Sequence, residues 1–120
     1  MPKDDEIRLR HMLEFAQEAI QATEGRNRSD LDKNRLWMMG LVKCIEVVGE
    51  AAAHVSEATR SKFPQIPWAK IVGMRHRLVH VYFEVDLDLV WDTVTLDLPP
   101  LIAELKKILE KELAGIGIRA

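Results

Sequence analysis

The 120-residue sequence predicts an all-α fold, an antiparallel bundle of four to five helices, on three observations. Apolar residues recur at the three- and four-residue spacing of a helix face along most of the chain. No segment alternates apolar and polar residues as a half-buried strand would. Glycine and proline fall between the periodic runs, where a bundle has to reverse direction. A chain of this length can bury one core without disulfides or metal, so residues 1–115 are expected to form a single domain with a short tail at 116–120.

The first helix is expected over residues 4–24. Leu9, Met12, Leu13, Ala16 and Ile20 share one face, Asp4 and Asp5 suit the positive N-terminus, and Gly25 ends the helix. A polar turn, Gly25-Arg26-Asn27-Arg28, leads to Ser29 as an N-cap. The second helix, about 30–61, has the strongest pattern. Trp37, Leu41, Cys44, Ile45, Val48, Ala52 and Val55 form a continuous stripe, and Gly40, Val47 and Ala51 form a second on another side. A helix apolar over more than one face is central in a bundle or shared with a partner chain. Phe63-Pro64 closes it, because the residue before proline is steered away from helical geometry. Pro67 suits the first turn of a third helix, about 67–81. A fourth starts near Asp86, whose side chain can cap it, and carries Leu89, Val90 and Val94 inward. Pro99-Pro100 should kink or break it, after which Leu101, Leu105, Ile108 and Leu109 continue to Gly115.

Net charge −2 and a pI near 6.1 argue against a general nucleic-acid coating protein, though not against a local basic site. The lone Cys44 has no internal partner and reads as a core residue in a reducing compartment. There is no run of eighteen or more apolar residues, and the opening MPKDDEIRLR is too charged for a signal peptide. The expectation is a cytoplasmic protein without a membrane anchor. Trp37, Trp68 and Trp91 read as packing or dimer contacts rather than a base-stacking platform.

Charge is segregated along the chain. From Ala58 to Phe83 there is no acidic residue, while Arg60, Lys62, Lys70, Arg75 and Arg77 give +5. From Glu84 to Glu104 there is no basic residue, while Glu84, Asp86, Asp88, Asp92, Asp97 and Glu104 give −6. Inside the basic stretch, residues 75–82 hold two arginines, two histidines and the only tyrosine. Those side chains suffice to cut RNA without a metal. The ribose 2′-hydroxyl attacks the adjacent phosphate; a histidine near its ordinary pKa of about 6.5 can take or give the proton, and a guanidinium can stabilise the charge that develops on the phosphoryl oxygens.

Spacing leaves the pairing open. At about 100° per residue, Arg75 and His80 stand roughly 140° apart around a helix. They meet if the helix ends near His80, if Arg75 wraps around, or across a dimer. Arg77, three residues from His80, shares its face by spacing alone. His76 and His80, four apart, also have the spacing of two metal ligands, with Glu84 or Asp86 as a third. The His-Glu-x-x-His signature is absent and Arg77 puts positive charge beside such a cation, so the expectation is no metal and no other cofactor. The bland reading is a solvated basic face, paired on the surface with Asp86, Asp88 and Asp92. Tyr82 by itself reads as a packed aromatic.

The segment Ile71-Val72-Gly73-Met74-Arg75-His76-Arg77-Leu78-Val79-His80-Val81-Tyr82-Phe83-Glu84-Val85-Asp86 resembles the signature of HepT-like toxins, in the HEPN superfamily of all-α ribonucleases. That signature is Arg, four residues, His, one residue, Tyr, and it lands on Arg75, His80 and Tyr82 without a gap. Val48-Gly49-Glu50-Ala51-Ala52 resembles the family's Ile-Gly-Glu-Ala stretch. Asp86-Leu87-Asp88-Leu89-Val90-Trp91 and Asp97-Leu98-Pro99-Pro100-Leu101 are similar to the family as well, so the likeness spans most of residues 30–110.

The resemblance implies a HEPN-like fold and a homodimer in which Arg and His of both chains line one cleft. Arg75 would hold or polarise the scissile phosphate of an RNA substrate, and His80 would act as acid and base. His76 takes a position that is usually polar in the family, often asparagine, and is implied as a support. The resemblance also implies a nucleotidyltransferase antitoxin like MntA, which transfers AMP from ATP to the motif tyrosine, here Tyr82. Phosphate charge added beside Arg75 and His80 would compete with RNA. Glu50, a carboxylate within an apolar stripe, either reaches the site or forms a structural ion pair. A different class of function stays open beside this one: a non-catalytic helical module that docks the nucleotidyltransferase and never cuts RNA.

Overall fold

The chain folds around two long antiparallel helices whose ends are tied to each other. α1 (Lys3–Thr23) and α3 (Arg35–Ala53) bury Leu9, Met12 and Ala16 against Leu41, Ile45 and Val48. Near one end, Trp37 donates its indole N–H to the carbonyl of Ala22 at 2.9 Å, and Arg26 lies over the Trp37 ring, 4.7 Å from its centre. At the other end the Asp5 carboxylate accepts from the Ser56 amide at 3.0 Å and from the hydroxyls of Ser56 and Thr59, each at 2.6 Å. The start of one helix thus meets the end of the other. The structure, a computed structural model, describes residues 1–81 and 84–115, without the side chains of 79–81 and 113–115.

Among the described residues the architecture is all-α apart from one pair of short antiparallel strands. The helix expected over 30–61 is three helices: α2 (Asp30–Lys33), α3, and α4 (Glu57–Lys62). Two short polar residues divide it. Asn34, extended at φ −130°, accepts the Trp37 amide at 3.0 Å, and Ser56 accepts the Thr59 amide at 3.3 Å. Such side chains compete with the helix for backbone donors and turn a continuous apolar pattern into separate capped pieces. Ser29 does not act as the expected cap; its backbone is already helical and its side chain makes no capping bond. Gly25, at φ +75°, ends α1 in the left-handed conformation glycine tolerates.

Downstream, α5 (Trp68–Val72) and α6 (Met74–Leu78) replace the third helix expected over 67–81. Pro67 stands just before α5, and the chain leaves helical geometry after Leu78, three residues early. Val79–Val81 (β1) then pairs antiparallel with Glu84–Val85 (β2), in a register of Val79 to Val85 and Val81 to Glu84. Asp86 caps α7 (Leu87–Asp92) as expected, accepting the Leu89 amide at 3.0 Å.

Pro99-Pro100 neither breaks nor ends the helical path. A five-residue π-helical stretch, Thr93–Asp97, joins α7 to α8 (Leu98–Gly115), so both prolines fall in the first turn of α8. Proline is tolerated in the first turn of a helix, and just upstream the Thr95 hydroxyl donates to the Trp91 carbonyl at 2.7 Å. α8 packs on α1 and brings Leu98, Leu101, Leu105, Ile108 and Leu109 into the core. Trp37 and Cys44 are only half-buried, and Gly40 faces open space. Burial pushes the Cys44 thiol pKa up, and Glu18 adds to the shift. Among the described residues no helix is long and apolar enough to cross a membrane. The expected tail, 116–120, lies outside the described residues.

Candidate active site

Two buried residues position the basic segment. Met74 and Leu78, four apart on one face of α6, are 2% and 1% exposed. Anchoring that face turns Arg75, His76 and Arg77 outward, and all three are exposed. The bend before α6 comes at Gly73, whose amide donates to the Ala69 carbonyl at 3.1 Å. Arg77 points back from this joint, donating from Nη2 to the Lys70 carbonyl in α5.

α3 supplies the other wall. A Cβ on Gly49 would stand 3.1 Å from the Ile71 carbonyl oxygen, so glycine lets α3 and α5 approach at this point. The next residue, Glu50, reaches across to α6: its Oε1 lies 3.3 Å from Nη1 of Arg75. These side chains are 65% and 45% exposed, and so solvated a pair is worth at most about 1 kcal/mol. Water screens the attraction, so a phosphate able to accept two guanidinium bonds can displace Glu50.

Arg75 and His76 open onto a surface groove of about 660 Å³. Met38, Met39 and Val42 of α3 and Val85 of β2 give it apolar walls, and Lys43 and Glu46 add charge. A smaller hollow of about 170 Å³ shares Glu46, Arg75 and His76 and reaches Gly49 and Glu50. Of the α3 residues, the sequence singled out only Glu50, which both reaches the hollow and pairs with Arg75; Met38, Met39, Val42, Lys43 and Glu46 were not anticipated. The available signal was the run Met39, Val42, Glu46, Glu50, which follows one helix face at three- and four-residue steps.

His80 lies on β1; its side chain, and all of Tyr82, lie outside the described residues. The helix end at Leu78 still changes the geometry considered for His80. Helical spacing had placed Arg77 and His80 on one face and had made His76 and His80 an i, i+4 pair of metal ligands. Both arrangements need a helix through residue 80, and there is none. Among the described residues, no three His, Cys, Asp or Glu side chains stand together as a metal-binding group. Of the acidic residues expected beside the basic face, Asp88 binds Arg28 of the α1–α2 turn instead, at 2.7 Å, while Asp97 does reach the basic stretch, binding Lys70 at 3.1 Å.

Comparison with known proteins points one way. The family model described as "Ribonuclease HepT-like" matches residues 12–108. A protein of Caldanaerobacter subterraneus subsp. tengcongensis named "Putative RNase" is 33% identical over 104 residues, covering 87% of this chain and 93% of its own length. A Methanocaldococcus jannaschii protein with the same description is 34% identical over 116 residues, 96% of this chain and 95% of the relative. "Probable ribonuclease HepT" of Thermococcus cleftensis is 31% identical over 100 residues, 80% of this chain and 91% of the relative. No solved structure gives a significant match.

Proposed function

The chain belongs to the HepT-like ribonuclease family, and on that premise we propose that it is a metal-independent endoribonuclease acting as the toxin of a toxin–antitoxin pair in the cytoplasm. The observation that carries the chemistry is the placement of Arg75 and His76 side by side in one open groove, with the chain leaving the helix just before His80. Arg75 binds the scissile phosphate and stabilises the charge that grows on its free oxygens. His80 takes the 2′-hydroxyl proton as the 2′-oxygen bonds to phosphorus. The bond from phosphorus to the 5′-oxygen breaks, and that oxygen receives a proton from histidine. His76 supports by donating a hydrogen bond to the phosphate or to the leaving oxygen. The products are a 2′,3′-cyclic phosphate and a free 5′-hydroxyl, so no water or metal takes part in the cut.

Two regulatory features complete the reading. The chain acts as a homodimer whose cleft is lined by Arg75 and His80 of both copies; Leu36, 81% exposed on α3, is surface a second copy would cover. An MntA-like nucleotidyltransferase silences it by transferring AMP to Tyr82, placing phosphate charge beside the arginine.

The test is cleavage of total cellular RNA in EDTA by the purified, unmodified chain beside His80→Ala and Arg75→Ala. Discrete cuts are expected for the native chain, with losses of about 100-fold or more in each variant. Cleavage abolished by EDTA would refute the metal-free chemistry. A folded chain that cuts nothing, with Tyr82 shown by mass to be unmodified, would instead favour the docking module.

A further inference from the structure

We infer that the groove beside Arg75 is a nucleobase pocket with a preference for guanine, read by Glu46; this rests on the ribonuclease reading of the same site. The groove joins three kinds of surface that a nucleotide needs together. Arg75 and His76 can take the phosphate. Met38, Met39, Val42 and Val85 offer apolar contact to a flat ring, and methionine sulfur packs well against aromatic edges and faces. Lys43 and Glu46 supply polar groups able to tell one base edge from another.

Glu46 is well placed for that discrimination. Arg75 touches Glu50, and Glu46 is one helical turn earlier on α3, about 6 Å along the axis toward the methionines. Its side chain is 30% exposed, and its contact with Lys43 is long, 3.9 Å from Nζ to Oε2, so the carboxylate is not saturated. An ionised carboxylate only accepts hydrogen bonds, through two adjacent oxygens. Guanine alone presents two adjacent donors, N1–H and the N2 amino group, on its Watson–Crick edge. Adenine and cytosine each place a ring-nitrogen acceptor beside their amino group, which would face the second carboxylate oxygen. Uracil flanks its single N–H with two carbonyls. Lys43, a donor, suits the guanine O6. RNA readers commonly take an unpaired base by this combination of apolar packing and edge recognition.

Binding of the four 5′-mononucleotides GMP, AMP, CMP and UMP by calorimetry in EDTA tests the pocket without requiring cleavage. GMP is expected to bind about tenfold or more tightly than the others, and Glu46→Gln should level the four, because the amide replaces one acceptor with a donor. Met39→Ala, which thins the apolar wall, should weaken all four alike. Thermal unfolding of each variant separates these effects from misfolding. Equal affinities in the native chain, no nucleotide binding because a second copy covers the groove, or a guanine preference that survives Glu46→Gln would each overturn the inference. Mapping cut sites in cellular RNA separates the two readings: cleavage without enrichment for guanine sinks the pocket and leaves the ribonuclease, while guanine binding without cleavage does the reverse.

Discussion

Asp5 ties the first turn of α1 to the start of α4, and its removal should cost far more than a surface carboxylate near a helix terminus. Its side chain accepts the Ser56 amide and the hydroxyls of Ser56 and Thr59, and Asp5 and Thr59 are only 4% and 2% exposed. A hydrogen bond to a charged group contributes about 1.5–3 kcal/mol. Three donors sharing one carboxylate are not additive, and half-buried Ser56 can recruit water after truncation. The expected cost of Asp5→Ala is therefore about 3 kcal/mol, a fall in Tm of roughly 10–15 °C for a chain of this size. Asp5→Asn keeps the shape but turns an amide donor toward other donors, so about 2 kcal/mol is expected. Asp4→Asn is the control; Asp4 is exposed in the same first turn and should cost no more than about 0.5 kcal/mol. The pH dependence follows from the pKa. The hydroxyls of Ser56 and Thr59, then the Ser56 amide and the charge of Arg8, hold the Asp5 carboxyl below the ordinary aspartate value against the opposing effect of burial. Its contribution is thus complete above about pH 4 and is lost as pH falls through the depressed folded value. Thermal or urea unfolding of native and Asn forms should show a gap at pH 7 that narrows on acidification. A variant within about 0.5 kcal/mol of native at pH 7, or a gap that widens in acid, would refute the reasoning.

Gly49→Ala should destabilise the fold by about 1 kcal/mol in urea unfolding. The new methyl meets a backbone carbonyl at 3.1 Å, and overpacking of about 1–3 kcal/mol outweighs a helix-propensity gain of up to about 1 kcal/mol; a stabilised variant would show that α5 can move away freely. Glu50→Gln should leave Tm nearly unchanged, since the pair it breaks is solvated, while RNA binding tightens as one competing negative charge leaves Arg75. Weaker RNA binding in a gel-shift titration would mean instead that Glu50 holds Arg75 in place.

The parts of the fold legible in the sequence were those governed by periodic burial. Leu9, Met12, Ala16, Leu41, Ile45, Val48, Leu101 and Leu105 are in the core as the spacing predicts. The segment boundaries were less legible, because they depend on single polar side chains acting on the backbone. Asn34 and Ser56 divide an unbroken apolar pattern, and no periodicity marks which Asn or Ser will cap rather than face water. Pro99-Pro100 does not interrupt the helical path as a break would; the irregularity lies upstream, in the π stretch Thr93–Asp97, which no periodicity marks. At the site, Arg75 and His76 could be singled out because basic residues were concentrated among histidines. The α3 wall was harder to single out: Met39, Val42 and Glu46 share a helix face by spacing, but that spacing does not show that the face lies beside Arg75, a placement made by the packing of α3 against α5 and α6.

The charge segregation along the chain also carries a quantitative consequence for RNA binding. Much of the acidic run is spent within the fold: Asp86 caps α7, Asp88 holds Arg28, Asp97 holds Lys70, and Glu104 faces Lys107 at 3.6 Å. The basic run is spent too, as Lys70 faces Asp97 and Arg77 is bonded to the α5 backbone. Among the described residues lining the groove the fixed cations are Arg75, paired with Glu50, and Lys43, more loosely paired with Glu46. One or two phosphate contacts per chain release correspondingly few counterions, at about 0.7 per contact for a single strand. The slope of log affinity against log salt for a short single-stranded RNA, measured by fluorescence anisotropy on the His80→Ala variant, should therefore be about −0.7 to −1.4 per chain. A slope steeper than about −4 would mean that RNA tracks a broad basic surface, and the account of a local, weakly compensated Arg75 site would fail.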